Sequence, residues 1–452
     1  MKKWFFILSI AGAVSAALCL HRPIDPDAAH QQHLVNHHLR NLAYADYQTR
    51  NEARAALLSI GTPATEFIVR ALDNRPGLID RTLARLGRRV SWLRITPTTD
   101  HQLRQRAAEQ LASQPLCEHP AAIPALIRAL GDDSSVVVEQ AQQSLRRLGA
   151  QAALPALTEA LHTRDKTVRF HAAEVLRDLG ADAAPATPAL LLRLRDREPK
   201  IRVVAAHALG HIGGTPALQG LSAALSDKSA VVRAAASFAL GSMGQSAAAS
   251  APQIRQGLAD ADLKVRVASA RALWQITGDA TASVPVLVAA LRDANAWDSA
   301  LALGAMREAA SNAVPALIEV IEREKVSRPL REMPVSALAL GKIGIPAVPA
   351  LIEITTHPDA RVRTSAAMAL GFVGAKAEAA IPHLVPLLRD LNADVRRAAT
   401  LAIGNIDSGQ HVAALVPALI KLANDDDIFL SSLAASTLER VDPEAAATVR
   451  RE

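Results

Sequence analysis

Two short patterns recur in fixed phase along this sequence, and a chain that repeats itself every few dozen residues is confined to architectures of stacked identical units. The first is Pro-x-Leu or Pro-x-Ile, at Pro124, Pro155, Pro188, Pro216, Pro252, Pro285, Pro315, Pro349, Pro382 and Pro417, with a mean spacing of about 33 residues. Proline suits the first position of a helix, where its missing N–H would find no partner anyway, so each of these is predicted to open a helix. The second is Val-Arg-x-x-Ala-Ala-x-Ala-Leu-Gly-x-Ile-Gly with variations, clearest at residues 201–213, 232–244 and 362–374. Its central Leu or Ile recurs from Leu145 to Leu438 with the same spacing. Between the two patterns lies a turn rich in Asp, Asn and Ser, such as residues 225–229 and 389–392, predicted to cap the second helix. Glycines such as Gly213 and Gly244 then stop it.

Each unit is thus a helix–turn–helix pair with one apolar flank, which it can bury only by stacking on its neighbours. Half of the residues are apolar but only 3% are aromatic, so the core must be built from Ala, Leu, Val and Ile at close range. Within the second helix Val232, Ala236, Leu240 and Met243 share one face and form the predicted buried stripe. An earlier copy over residues 49–73 starts the array.

The repeated unit resembles the HEAT-like repeat found in phycobilisome lyases and in bacterial scaffold proteins, and the layout resembles secreted or membrane-anchored bacterial HEAT-repeat proteins. The resemblance spans roughly residues 49–442. It implies an all-α fold, an α-solenoid of about 11–12 tandem hairpins. The organisation expected is an N-terminal signal peptide or membrane anchor at 1–22, an N-terminal helix and first repeat at 27–73, an Arg-rich amphipathic insertion at 74–102, a repeat array at 103–442 and a tail at 443–452.

The expectation for the N-terminus rests on Lys2 and Lys3 preceding an uncharged apolar run from Trp4 to Leu20, the layout of a bacterial export signal. Small residues at 14–17 allow cleavage, and residues 4–20 reach the lower length limit of a membrane span if they stay attached. Either way the chain is expected outside the cytoplasm, periplasmic or secreted. Cys19 and Cys117 give no disulfide framework.

The formal charge of +6 is concentrated in residues 75–106, where eight Arg face only Asp80 and Asp100. Arg81, Arg85, Arg88 and Arg89 lie opposite an apolar stripe of Leu78, Leu83, Leu86, Val90 and Leu93, which is predicted to be either a solvated face or an anion-binding patch.

Counting the Val of the second pattern as zero, positions 3, 6 and 10 are predicted to point outward and align from repeat to repeat. They read His171, Glu174, Asp178; Val204, His207, His211; Ala235, Phe238, Ser242; Ala268, Arg271, Gln275; and Ser365, Met368, Phe372. His171, Phe238, Arg271, Met368 and Phe372 are the candidate partner contacts on this ribbon. Glu174, Asp178, His207 and His211 are candidate metal ligands, because two imidazoles one turn apart stand one repeat away from two carboxylates; ordinary contacts on a polar face explain the same pattern. His30, His33, His37 and His38 cluster on a predicted helix after the apolar run. No motif of nucleophilic, phosphate-loop or Cys-x-x-Cys type occurs, so no catalytic residue and no cofactor is assigned.

These features lead to the expectation of a non-catalytic scaffold that binds a protein or peptide through the second helices. The resemblance also implies a bilin-lyase-like reading, which the export segment disfavours, and a nucleic-acid-binding one. Near-balanced charge over 107–452 and few aromatics for stacking argue against nucleic acid.

Overall fold

The computed structural model describes residues 26–74, 101–293, 296–323, 334–406 and 412–449. The apolar run at 4–20 and Arg81, Arg85, Arg88 and Arg89 lie outside the described residues. Within them every regular element is an α- or 3₁₀-helix, and no strand occurs. No single helix among them is long and apolar enough to cross a membrane. The chain divides into two compact units, residues 1–217 and 218–452.

The first unit opens with α1 (Pro26–Tyr44), α2 (Tyr47–Ile60), α3 (Pro63–Asp73) and α4 (His101–Gln110). Asp46 caps α2 by accepting the Thr49 N–H at 3.0 Å, Gly61 ends it at φ 72°, and Pro63 opens α3. Leu39, Leu57, Ile68 and Leu72 are fully buried among these helices. Further hairpins follow, their second helices running over Lys166–Leu179 and Pro199–Ile212. In the second unit the second helices are Ala230–Ser242, Leu263–Thr277, Ala296–Met306, Val335–Ile343, Ala360–Val373, Ala393–Ile406 and Ile428–Val441. Residues 443–452, expected as a tail, include the helix Pro443–Val449.

The predicted stops hold: Gly180, Gly213, Gly244, Gly278, Gly344 and Gly374 all follow second helices at positive φ, where a residue without Cβ carries no steric penalty. After Gly180, Gly244 and Gly374 the chain winds as 3₁₀ before the next α-helix begins, and Pro188, Pro252 and Pro382 sit at its first turn as expected. Pro155, Pro285 and Pro417 instead lie inside helices, contrary to that expectation. At Pro285 the reason is visible: Asp279 accepts the Thr281 N–H at 2.9 Å, so the turn before the proline is already α-helical. At Pro155 the preceding helix breaks at Gly149, at φ 74° and ψ 176°, and the next helix starts directly after it, several residues before the proline.

The turns are tied by their aspartates and by the arginine of the Val-Arg step. Asp196, Asp260 and Asp390 each accept the backbone N–H two residues on, at 3.0, 2.9 and 2.8 Å. Each is also gripped by two guanidinium nitrogens from the repeat before, Arg169, Arg233 and Arg363 respectively, at 2.7–3.2 Å. The third nitrogen of each arginine reaches carbonyls of its own turn, those of Thr163, Asp227 and His357. One side chain therefore fastens two successive turns, and the bidentate geometry is one that lysine cannot reproduce. Ser229, expected as a cap, makes no side-chain cap bond; Asp227 shapes that turn by accepting the Ser229 N–H at 2.8 Å.

Candidate partner-binding surface

Packing of successive second helices decides which predicted outward positions are available. Position 3 is buried in three repeats, at Val204, Ala235 and Ser365, and half-buried at His171 and Ala268. Positions 6 and 10 do face outward or stand half-exposed, as at His207, His211, Phe238, Ser242, Met368 and Phe372.

In the first unit this face is polar, and its two carboxylates are satisfied by neighbouring side chains. Gln142, one repeat earlier, donates to Glu174 at 2.8 Å, and His171 Nδ1 lies 2.9 Å from the same carboxylate. Arg146 pairs with Asp178 at 2.5 Å, and Arg177 donates to its other oxygen at 2.9 Å. Burial pushes the Glu174 carboxyl up, but the hydrogen bonds from His171 and Gln142 and the charges of His171 and Arg177 outweigh it and hold the group below its ordinary value. Burial, then the nearby Arg177 and His211, push His207 below the usual imidazole range. The two carboxylates thus turn back to the preceding repeat, where Gln142 and Arg146 reach them, and not forward to the histidines. Among the described residues no group of three or more His, Cys, Asp or Glu is placed to hold a metal ion; Glu174 and Asp178 are engaged by Gln142, His171, Arg146 and Arg177. His171 belongs to the same network and is half-buried.

In the α1 histidine group, His37 pairs with Asn41 at 3.1 Å and His38 is half-buried with Nδ1 unpartnered, while His30 and His33 are exposed. Of the basic stretch, Arg104 is buried and bound to Asp132 and Asp133, and Arg106 pairs with Glu109 at 2.7 Å.

In the second unit the face is mixed: position 6 is apolar on most helices, while Arg271, Ser242 and Gln275 are polar. Phe238 is exposed, with the Arg271 guanidinium 5.1 Å from its ring centroid, within cation–π range. Met368 and Phe372 follow on the helix Ala360–Val373, Phe372 exposed and Met368 half-buried. The structure adds Leu301, Leu338 and Leu401 at the equivalent place on the helices Ala296–Met306, Val335–Ile343 and Ala393–Ile406, Leu401 being 37% exposed and Leu301 and Leu338 half-buried. Sequence reasoning missed these three. The first two helices lack the Val-Arg opening from which positions were counted, whereas counting back two residues from the central Leu303, Leu340 and Ile403 finds all of them. Leu301, Leu338, Met368 and Leu401 thus continue an apolar track over four consecutive second helices, with Phe372 beside it.

The family model for HEAT repeats matches residues 92–177, 187–251, 334–404 and 381–449. The matches cover more than half of the chain, which belongs to the HEAT-repeat family, with an all-α solenoid fold. Among solved structures it resembles yeast importin-β, with a TM-score of 0.59 at 14% identity over 93% of this chain and 62% of that one. It also resembles the Kap95–Nup1 complex, at 0.55, 14%, 93% and 62%, and importin-β crystallised in ammonium sulfate, at 0.54, 14%, 90% and 55%. At that identity the likeness is one of fold, and the chain spans only 55–62% of the length of these proteins. No curated protein matches the sequence.

Proposed function

We propose that this chain is a non-catalytic scaffold that holds a protein or peptide partner on the second-helix face of its second unit. The observation that carries the reading is the apolar track of half-buried Leu301, Leu338 and Met368 continuing to the exposed Leu401 and flanked by the exposed Phe372: a contiguous, partly accessible apolar strip on consecutive helices is a surface a partner can cover. Stacked helices present such a surface preformed, so little ordering entropy opposes binding. The likeness to a karyopherin solved in complex with Nup1 agrees with a protein partner. The partner reading is tested by placing a photo-crosslinking residue at Met368 and, as a control, at the exposed Glu353 on a first helix. Specific adducts from position 368 alone support it; no adducts, or equal adducts from both, remove it.

We further propose that the chain works outside the cytoplasm, delivered by residues 4–20, because paired lysines precede an uncharged apolar run there. Protease protection in intact cells, lost when the envelope is opened, is the expected result; a cytosolic fraction that is resistant in both conditions refutes it.

A further inference from the structure

A cavity of about 430 Å³ opens between α1, α3 and α4, in the first unit. Its polar lining consists of Gln32, Asn36 and Arg40 from α1, Arg70 and Asn74 at the end of α3, and Arg104 from α4. Asp73 is the one carboxylate of the lining, and Arg128 grips both of its oxygens, at 3.1 and 2.6 Å. Arg104 is 3% exposed; two of its guanidinium nitrogens bind Asp132 and Asp133, and Nη1 has no hydrogen-bond partner. Arg40 makes no ion pair among the described residues, and Arg70 has only Glu66 at 3.9 Å, with both side chains more than 60% exposed. Such an exposed pair contributes little. Two guanidinium groups with little or no carboxylate to hold them therefore converge with three side-chain amides, while the local carboxylates are already taken.

We propose that this cavity binds a phosphate-type oxyanion, either free inorganic phosphate or the phosphomonoester of a lipid headgroup. Arginine presents several N–H donors in a fixed fork that matches phosphate oxygens, and the amides of Asn36 and Asn74, with the second N–H of Gln32, whose first is donated to the Asn36 Oδ1 at 3.3 Å, supply neutral donors around it. The cavity is larger than a bare phosphate, which leaves room for the group that carries it. The proposal is independent of the partner surface, which lies in the other unit.

The test is a calorimetric titration of the full chain with inorganic phosphate in chloride buffer. Saturable binding is expected, with sulfate competing, and Arg40→Gln or Arg70→Gln should each weaken it about tenfold, the scale of one charge-assisted hydrogen bond. Both side chains are exposed, so Arg40→Gln should keep the parent Tm and Arg70→Gln should lose only its stack over the Phe67 ring, 5.4 Å from the centroid, at a small cost in Tm. Flotation with phosphatidylcholine vesicles, with and without phosphatidic acid, separates the sources. Phosphatidic acid binding that is lost in the Arg40→Gln/Arg70→Gln double variant assigns a headgroup, and phosphate binding without it assigns a soluble ligand. No saturable binding to either probe, or binding that the double variant leaves unchanged, overturns the proposal.

Discussion

Gly341 on one second helix lies directly against Phe372 on the next: a Cβ at position 341 would stand 2.3 Å from the Phe372 Cβ. The same place, one residue after the central Leu, recurs at Gly304 and Gly371, where an added Cβ would stand 3.0 Å from the Ala339 Cα and 2.9 Å from the Ala402 Cα. Alanine alone does not set the close spacing of these helices; a glycine facing the next helix does. Gly341→Ala gains up to about 1 kcal/mol of helix propensity, but the clash is with a Cβ that no rotamer change can move. A net loss of about 1–3 kcal/mol in denaturant unfolding is expected. Phe372→Gly in the same chain should recover part of it, and a double-mutant cycle with no coupling would contradict the contact.

Arg307 occupies the position where Gly244 and Gly374 end their helices, yet it has φ 54°, the only non-glycine in that region among the described residues. Its side chain is exposed. Arg307→Gly should stabilise the second unit by about 1 kcal/mol, because the left-handed backbone conformation then carries no Cβ penalty. A lower unfolding midpoint in the variant would show that the arginine makes a compensating contact.

The arginine ladder predicts an acid response. In Asp260 the hydrogen bond from Arg233 is the largest effect, and against burial it holds the carboxyl below its ordinary value of 3.8. In Asp196 and Asp390 burial is the largest effect and pushes upward, but Arg169 and Arg363, with the turn N–H groups, outweigh it and lower both. A lowered carboxylate stabilises the fold above its unfolded pKa, and this is lost as pH falls through the folded value, so the contribution is complete at neutral pH and fades below about pH 4. Asp260→Asn should destabilise the protein at pH 7 by about 1–3 kcal/mol and flatten its stability profile below pH 4. An unchanged acid profile would mean that the pair does not persist in solution.

The period, the glycine stops and the acidic turns were legible because each is set within one repeat: Gly213 or Asp390 acts through its own backbone. What was illegible depends on the neighbour. Nothing in Val-Arg indicates that Arg233 will span to Asp260, and the spacing of Glu174 and Asp178 says only that they share a face. It does not say that Gln142 and Arg146, one of them standing where other repeats carry glycine, will engage them before the histidines can. Val204 and Ala235 were expected outside for the same reason: their burial comes from the adjacent helix. Leu301 and Leu338 were missed because their repeats have lost the motif that sets the frame while keeping its central leucine.

His207 supplies a second pH dependence, at a different pH. Burial is the main cause of its lowered pKa, and Arg177 and His211 add repulsion, so the folded chain resists protonating a ring that the unfolded chain protonates near its ordinary value of 6.5. The unfolded state then binds more protons between 6.5 and the folded pKa. Stability contributed by the neutral ring is present above 6.5 and lost as pH falls through that window. His38, lowered by burial and then by His37, acts in the same direction. Urea unfolding of the parent chain should therefore show a lower midpoint at pH 5.5 than at pH 7.5, well above the range in which the ladder carboxylates titrate. His207→Gln keeps a polar side chain on the half-exposed face and should reduce that difference. Equal pH responses in the parent and the His207 variant would place the sensitivity elsewhere in the chain.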